Sequence, residues 1–457
     1  MSYKLSIVKN KMMKRIINIL ILLCCIASLS SCGNSTEERS RVLKIYNWAD
    51  YIDEDVLAEF PDWYKQQTGE DLRIIYQVFD INEIMLTKIE RGHEDFDVVC
   101  PSEYIIERML RKDLLLPIDR NFGHTPDYIP NVSPYIRHEL NKTSQPERQT
   151  EDYAVPYMWG TAGILFNKKF ITAEEADTWD ILWDSKNRGK ILMKDSYRDA
   201  YGTAIIYAHA RELADSTVTV EQLMNDNSPQ AIALAEQRLK EMKPNIAGWE
   251  ADFGKEMMTK NKAWINFTWS GDAVWAIEEA DAVGVELDYT VPCEGSNIWY
   301  DGWVIPKYAG NPKAAAYFIN YLCRPDIALR NMDAIGYVSA VATPEIMEAK
   351  RDTAIATRSD LSYFFGEGVG ADSLQINPVQ YPDRKVVERC AMIRDFGDRT
   401  ELVLEMWSRV KGDNLNTGIV LLIFAVFGLL FIWLVYAKIR KYKQKRRHRL
   451  RRKRKRG

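Results

Sequence analysis

Val42-Leu43-Lys44-Ile45-Tyr46-Asn47-Trp48-Ala49-Asp50-Tyr51 is a short strand-like run passing directly into a loop of aromatic rings and an acid. In α/β proteins such strand-to-loop junctions carry ligand contacts. Aromatic faces beside a carboxylate suit an organic cation, through cation–π attraction and charge-assisted hydrogen bonds. The same residues also read as an amphipathic strand end with core aromatics, so the rest of the chain decides between the two.

Outward from this stretch, strand-like and helical runs alternate. Arg73–Val78 reads as a strand, Ile81–Arg91 as a helix, and Phe96–Val99, Ala162–Phe166 and Ile191–Met193 as further strands. Asn311-Pro312 is a helix start, cap residue then proline, and Arg324-Pro325 stops that helix after Cys323. This alternation predicts α/β architecture with mainly parallel sheets. The roughly 370 residues from 42 to 412 exceed what one core fills and suit two lobes.

Charge is unevenly spread. The chain has 61 Lys+Arg against 64 Asp+Glu, a net of −3. Residues 1–32 hold five basic residues and no acid, and residues 438–457 hold fourteen and none. Without these ends the segment 33–437 keeps 42 basic and 64 acidic residues, a net of −22. Such acidity opposes nucleic-acid or phosphate ligands and favours cations, although it also serves solubility.

The N-terminus reads as a secretory signal: Lys9, Lys11, Lys14 and Arg15 precede an apolar run from Ile16 to Leu29, with Met12 or Met13 as alternative starts. The run ends in Leu29-Ser30-Ser31-Cys32-Gly33, which is similar to a bacterial lipobox and marks Cys32 for lipidation. Residues 33–41 form a polar tether. Near the other end, 418–437 is a 20-residue stretch without charge, long enough at about 1.5 Å per residue to span a membrane. Trp433 and Tyr436 near its inner end and the basic tail 438–457 fit a cytoplasmic C-terminus. Together these place the domain at the periplasmic face of an inner membrane, lipid-anchored and/or single-pass.

Enzyme signatures are missing. The histidines, His93, His124, His138, His209 and His448, form no HExxH, and no GxSxG elbow occurs. Gly366-Glu367-Gly368-Val369-Gly370 is not a GxGxxG and reads as a loop. The cysteines form no CxxC pair, and Cys100, Cys293, Cys323 and Cys390 each lie in an apolar setting expected of a buried thiol. No cofactor, metal site or catalytic residue is expected.

Further segments combine aromatics with acids or hydroxyls: Pro101-Ser102-Glu103-Tyr104, Pro156-Tyr157-Met158-Trp159-Gly160 and Lys194-Asp195-Ser196-Tyr197-Arg198-Asp199. Trp269-Ser270-Gly271-Asp272, Trp299-Tyr300-Asp301 and Ile335-Gly336-Tyr337 follow. In order and approximate spacing, the motifs YNWADYI, FDVVCPSEYIIERM, VPYMWGTAGI, WSGDAVWA, WYDGWVIP and RPDIALR…IGY resemble the bacterial spermidine/putrescine-binding receptors of polyamine ABC importers. The resemblance covers essentially all of 42–412. It implies a two-lobed periplasmic-binding-protein fold, type II-like, with hinge crossovers. Lobe 1 would take about 42–157 and 301–350, and lobe 2 about 158–300 and 351–412.

Carried over by the resemblance, Trp48 and Tyr51 flank the ligand chain, with Asp50 beside them, and Ser102 and Tyr104 line the same wall. Trp269 and Trp299 supply faces, Asp199 and Asp301 pair with ammonium groups, and Tyr337 bonds one end. Asp50 and Asp272 resemble the putrescine-preferring members, whereas Trp299-Tyr300-Asp301 resembles the spermidine-preferring ones. Ser196 stands where the spermidine type has a carboxylate, and Ile393 near an expected polar amide. The balance leans to putrescine. The implied partners are a polyamine and the inner-membrane permease of the importer, with a monomeric binding domain and no nucleic acid. A C-terminal membrane helix is unusual for the family, and its alternative reading is a polyamine sensor ectodomain signalling to a cytoplasmic partner.

Overall fold

The computed structural model describes residues 39–251 and 253–412, and beyond them 425–431, 433, 435, 436 and 438. The expected leader with Cys32, and the tail beyond 438, lie outside the described residues, as does the first part of the apolar run 418–437. From 425 the described part of that run is helical, and no helix among the described residues is long and apolar enough to cross a membrane. The chain divides into two compact units, Met1–Thr400 and Glu401–Gly457.

Eleven strands of the first unit form one hydrogen-bonded sheet, eight of them along a single path. They are β1 (Val42–Trp48), β2 (Arg73–Phe79), β3 (Val98–Val99), β4 (Leu115–Leu116), β5 (Ala154–Asn167), β6 (Ile191–Lys194), β7 (Ile246–Glu250), β8 (Ile265–Trp269), β9 (Leu287–Thr290), β10 (Ile298–Pro306) and β11 (Val338–Ser339). Their order is β2-β1-β3-β10-β5-β8-β6-β7, with β9 and β11 also on β5 and β4 on β10. The flanks are parallel, as the alternation predicted: β1 with β2 and β3, and β6 with β7 and β8. The centre is antiparallel, because β10 returns beside β3 and β5.

β5 joins the two halves of the path. Its first half pairs with β10, and Ala162–Phe166 pairs with β8. All fourteen of its residues are buried, which is why its sequence reads as a continuous apolar run rather than an alternating one. One buried cluster surrounds the β1 half and a smaller one, including Leu165, Leu192 and Ala276, the β8 half. Leu361, Phe364, Tyr381 and Val387 belong to the first cluster, Phe364 stacking on Trp159 at 5.3 Å. This part of 351–412 therefore packs with the first half, not with the second as expected, because the rings of 361–381 complete the floor beneath Trp159.

The helices that matter for the site are α1 (Glu54–Thr68), α2 (Asn82–Glu90), α3 (Glu103–Arg111), α4 (Tyr197–Ala208), α5 (Ser270–Ala282), α6 (Pro312–Leu322) and α7 (Pro325–Ile335). Asn311 caps α6 by accepting from the Ala314 N–H, as its sequence signature predicted. Among the thiols, Cys100 and Cys323 are buried, but Cys293 is exposed, since it sits in the polar turn before β10 rather than under it.

Asp97 ties the first half together. Its fully buried carboxylate accepts the Lys44 N–H at 2.7 Å, the Gly310 and Asn311 N–H groups at 2.9 and 2.7 Å, and Arg39 Nη2 at 2.9 Å. Burial pushes this carboxyl up, and the backbone donors and Arg39 pull it back. Removing it strands buried donors and the Arg39 guanidinium. Asp97→Ala is expected to lose about 3–5 kcal/mol of stability in urea unfolding, with Asp97→Asn losing less; an Ala variant within about 1 kcal/mol of the parent would contradict this assignment.

Candidate functional site

Strand ends and the turns after them deliver the predicted residues to one enclosed region. Trp48 ends β1, Tyr51 follows it, Ser102 and Tyr104 start α3 after β3, Asp199 lies in the first turn of α4 after β6, and Trp269 and Asp272 mark the passage from β8 to α5. These are C-terminal ends of parallel strands, where open α/β sheets bind ligands. β10 and the residue before it contribute differently: alternation along the chain puts Asn297, Trp299 and Asp301 on one face. A register shift against β5 falls between Asp301 and Gly302, which pair with Met158 and Pro156 and leave Tyr157 of β5 as the extra residue.

Asp301 is buried, and one of its oxygens accepts the Tyr51 hydroxyl at 2.8 Å while the other, Oδ1, has no partner. Ser102 faces it across an isolated β-bridge. Burial pushes the Asp301 carboxyl up to about 6, against the pull of Ser102 and Tyr51. Ser102 stands at the N-cap position of α3 without capping it, which leaves its hydroxyl for Asn82 Nδ2 at 3.0 Å.

Asp199 is equally enclosed. Its oxygens accept Asn297 Nδ2 at 2.9 Å and Trp269 Nε1 at 3.3 Å, both neutral donors. Burial raises its carboxyl above the usual range despite these bonds and that of Ser196, whose hydroxyl caps α4. Trp299 lies between Asn297 and Asp301 along the chain and meets the Tyr337 ring edge-on at 5.6 Å; Tyr337 meets Tyr51 at 5.3 Å. Neither Asp199 nor Asp301 forms an ion pair among the described residues.

Asp272 is different. It receives Lys194 Nζ at 2.6 Å, Lys255 Nζ at 3.5 Å and the Tyr337 hydroxyl at 2.9 Å. Burial pushes its carboxyl up, but the two lysines outweigh that and hold it below the usual range. Lys194, 1% exposed, also lies 3.2 Å from Glu250 and 4.7 Å over the Trp269 ring. Two glycines permit this arrangement. A Cβ on Gly271 would lie 2.3 Å from the Tyr337 ring, and Gly336 ends α7 at φ 78°, turning Tyr337 inward.

The remaining expectations divide. Trp48 is half-buried on Phe79 at 4.5 Å, and Tyr104 accepts Asn82 Nδ2 at 3.0 Å and donates to Glu83 at 3.3 Å. Asp50 is solvent-exposed in a left-handed turn at φ 51°, with no hydrogen bond to the other predicted residues. Sequence reading missed Lys194 and Glu250, and Glu83, which also accepts the Tyr197 hydroxyl at 2.7 Å. Lys194 lay inside a segment singled out for its acids; Glu250 carries no local signal. Among the described residues no group of His, Cys, Asp or Glu is arranged to hold a metal ion.

Comparison with known proteins agrees with this architecture. A family profile described as bacterial extracellular solute-binding protein matches residues 62–357. The spermidine/putrescine-binding periplasmic protein of Salmonella typhimurium is 28% identical over 377 residues, 81% of this chain and 92% of its own length. The putrescine-binding periplasmic protein PotF of Escherichia coli is 29% identical over 324 residues, 68% of this chain and 82% of its own. Among solved structures, a putative spermidine/putrescine ABC transporter from Listeria monocytogenes superposes with a TM-score of 0.64 at 29% identity, covering 81% of this chain and 99% of that one. PotD from Streptococcus pneumoniae superposes at 0.60 and 28% identity, again over 81% and 99%. The first unit thus has the two-lobed fold of periplasmic binding proteins, and the chain belongs to the family of bacterial extracellular solute-binding proteins, receptors rather than enzymes.

Proposed function

We propose that the chain is the extracytoplasmic receptor of a polyamine ABC importer, holding putrescine and/or spermidine between its lobes. One observation carries this reading. Asp199 and Asp301 are buried carboxylates whose hydrogen-bond donors are all neutral and which form no ion pair among the described residues. A linear polyamine supplies what they lack: ammonium groups at the ends of a methylene chain that the aromatic walls can bury. A neutral sugar would leave both charges uncompensated, and an anion would add to them. The curated relatives named above bind putrescine or spermidine by their names, which supports the same ligand class.

In this reading Asp199 and Asp301 take the ammonium groups, Trp269 and Trp299 give faces, and Tyr51, Ser102, Tyr104 and Tyr337 fix the carboxylates and the walls. Trp48 closes the rim, and Asp50 stays in solvent. The lobes meet around this ligand, with 42–157 and 301–350 in one and 158–300 in the other, and 361–392 added to the first. No observation favours a sensor ectodomain.

Membrane attachment belongs to the same proposal. Cys32 takes a lipid, and 418–437 crosses the inner membrane ahead of a cytoplasmic basic tail. The described helical part supports this: Phe427, Leu429, Phe431 and Trp433 are all exposed, an apolar surface that water disfavours. Tethering beside the permease raises the receptor's effective concentration there. Palmitate labelling should vanish in Cys32→Ser, and external protease should leave a membrane-held fragment starting near 412. Unlabelled parent protein, or complete digestion, would refute the respective anchor.

Calorimetric titration of the full chain with putrescine and spermidine tests the ligand. Asp301→Asn and Asp199→Asn should each cost about 2–5 kcal/mol, roughly 30- to 4,000-fold in affinity, as expected when one partner of a desolvated charge pair is removed. Unchanged affinity in both would sink the assignment. The pH dependence has a definite sign. An ammonium pairs with the ionised carboxylate, whereas burial holds the free Asp301 carboxyl at about 6. Binding therefore releases a proton in acid. Affinity should be full at pH 7.5 and about tenfold weaker at pH 5; equal affinities at both would contradict the role of Asp301.

A further inference from the structure

The cleft already contains an ammonium of its own. Lys194 Nζ, at the end of β6, lies 2.6 Å from Asp272 and 3.2 Å from Glu250, donates to the Ala251 carbonyl at 2.8 Å, and stands 4.7 Å over the Trp269 ring. Two carboxylates, a carbonyl and an aromatic face around one ammonium make a complete site for an alkylammonium group. The occupant is a four-carbon amine chain tethered to the backbone, so it does not leave. We infer that Lys194 is a built-in ammonium that fills one cation place of the cleft and thereby sets the receptor for a diamine over a triamine. This inference rests on the polyamine reading above and concerns its specificity.

Local charge supports it. Asp272 and Glu250 face Lys194, with Lys255 also 3.5 Å from Asp272, so two acids stand against two bases. Asp272 is held further by the Tyr337 hydroxyl at 2.9 Å. Its carboxylate is therefore committed to Lys194 and Tyr337 rather than to ligand. Of the buried acids here without an ion pair, Glu103 is taken up by the Tyr300 N–H at 3.0 Å, which leaves Asp199 and Asp301 for ligand, and a diamine brings two ammonium groups. Glu83 offers no clear third place. It accepts both Tyr104 and Tyr197, and the Arg198 guanidinium lies over those two rings at 4.6 and 5.7 Å, so a cation already faces that corner. A third ligand ammonium would be desolvated without a carboxylate, or set against Lys194. Both are unfavourable, which is selection by exclusion as much as by attraction.

The asymmetry was invisible from residue types alone. By sequence, Asp272 counts as one more cleft acid; in the fold it is the counter-ion of a lysine more than seventy positions earlier. Length selection then follows from chemistry: the same Trp269 face that could receive a ligand's distal ammonium is covered from one side by Lys194.

The test is calorimetric titration of the full-length protein in detergent, parent and Lys194→Met, with putrescine and with spermidine at physiological salt. The parent is expected to favour putrescine by about tenfold or more. In Lys194→Met the ratio should move toward spermidine by at least about tenfold, because the third ammonium takes the place that Lys194 Nζ leaves beside Asp272 and Glu250. If the single variant does not fold, Lys194→Gln, which keeps a hydrogen-bond donor and leaves both acids in place, gives the same readout. A folded variant with an unchanged ratio, or a parent that favours spermidine, would overturn the inference while leaving polyamine binding intact. Failure of the parent to bind either amine would overturn the polyamine reading, and this inference with it.

Discussion

Two buried carboxylates beside the aromatic walls, Asp199 and Asp301, neither in an ion pair among the described residues, are the constraint on which the rest of this structure depends. Taking an ionised carboxylate out of water is costly unless a charge or several hydrogen bonds replace the lost solvent. Asp199 receives two neutral donors and Asp301 a tyrosine hydroxyl, with one Asp301 oxygen unmatched. The protein holds both in that state, and their carboxyls are raised in consequence. Stability is surrendered locally so that a cationic ligand can restore it. Asp97 and Asp272, just as buried, show the contrast: each has its cation in the fold, Arg39 for one and Lys194 for the other.

The chain reaches this arrangement through ordinary secondary structure. Parallel strands end in one region and throw their following turns toward it, and β10 with the residue before it, running the other way, lays Asn297, Trp299 and Asp301 along one face. A glycine under Tyr337 and a left-handed glycine before it adjust the side chains to one another. Contacts across the two halves, Tyr197 to Glu83 and Tyr337 to Asp272, close the region. Such bonds are few and polar, which suits lobes that part and rejoin around a ligand.

Much of this was legible in the sequence. The runs at 42–45, 73–78 and 191–193, and the Asn311-Pro312 helix start, announce themselves through β-branched composition and capping chemistry, although β1 runs on through Trp48, which the sequence assigned to the following loop. Aromatic–acid segments located most of the site, since rings and carboxylates in turns have few structural uses together. Other parts were not legible. β5 has no alternation because both faces are buried, so only its second half read as a strand. The antiparallel centre depends on β10 returning from far along the chain, which no local pattern encodes. Asp50 and Asp301 look alike as letters beside aromatics, yet the first lies in an exposed turn and the second on a fully buried strand. Lys194 could not be paired with Asp272 and Glu250 before the fold brought β6, β7 and α5 together.

The most direct test of the account is a crystal structure of the protein with putrescine, read for the position of the two ligand nitrogens. One nitrogen should lie within hydrogen-bond distance of Asp301 and the other of Asp199, with the chain along Trp299 and Lys194 still paired to Asp272. A ligand nitrogen on Asp272 with Lys194 displaced, or a ligand that touches neither Asp199 nor Asp301, would contradict it.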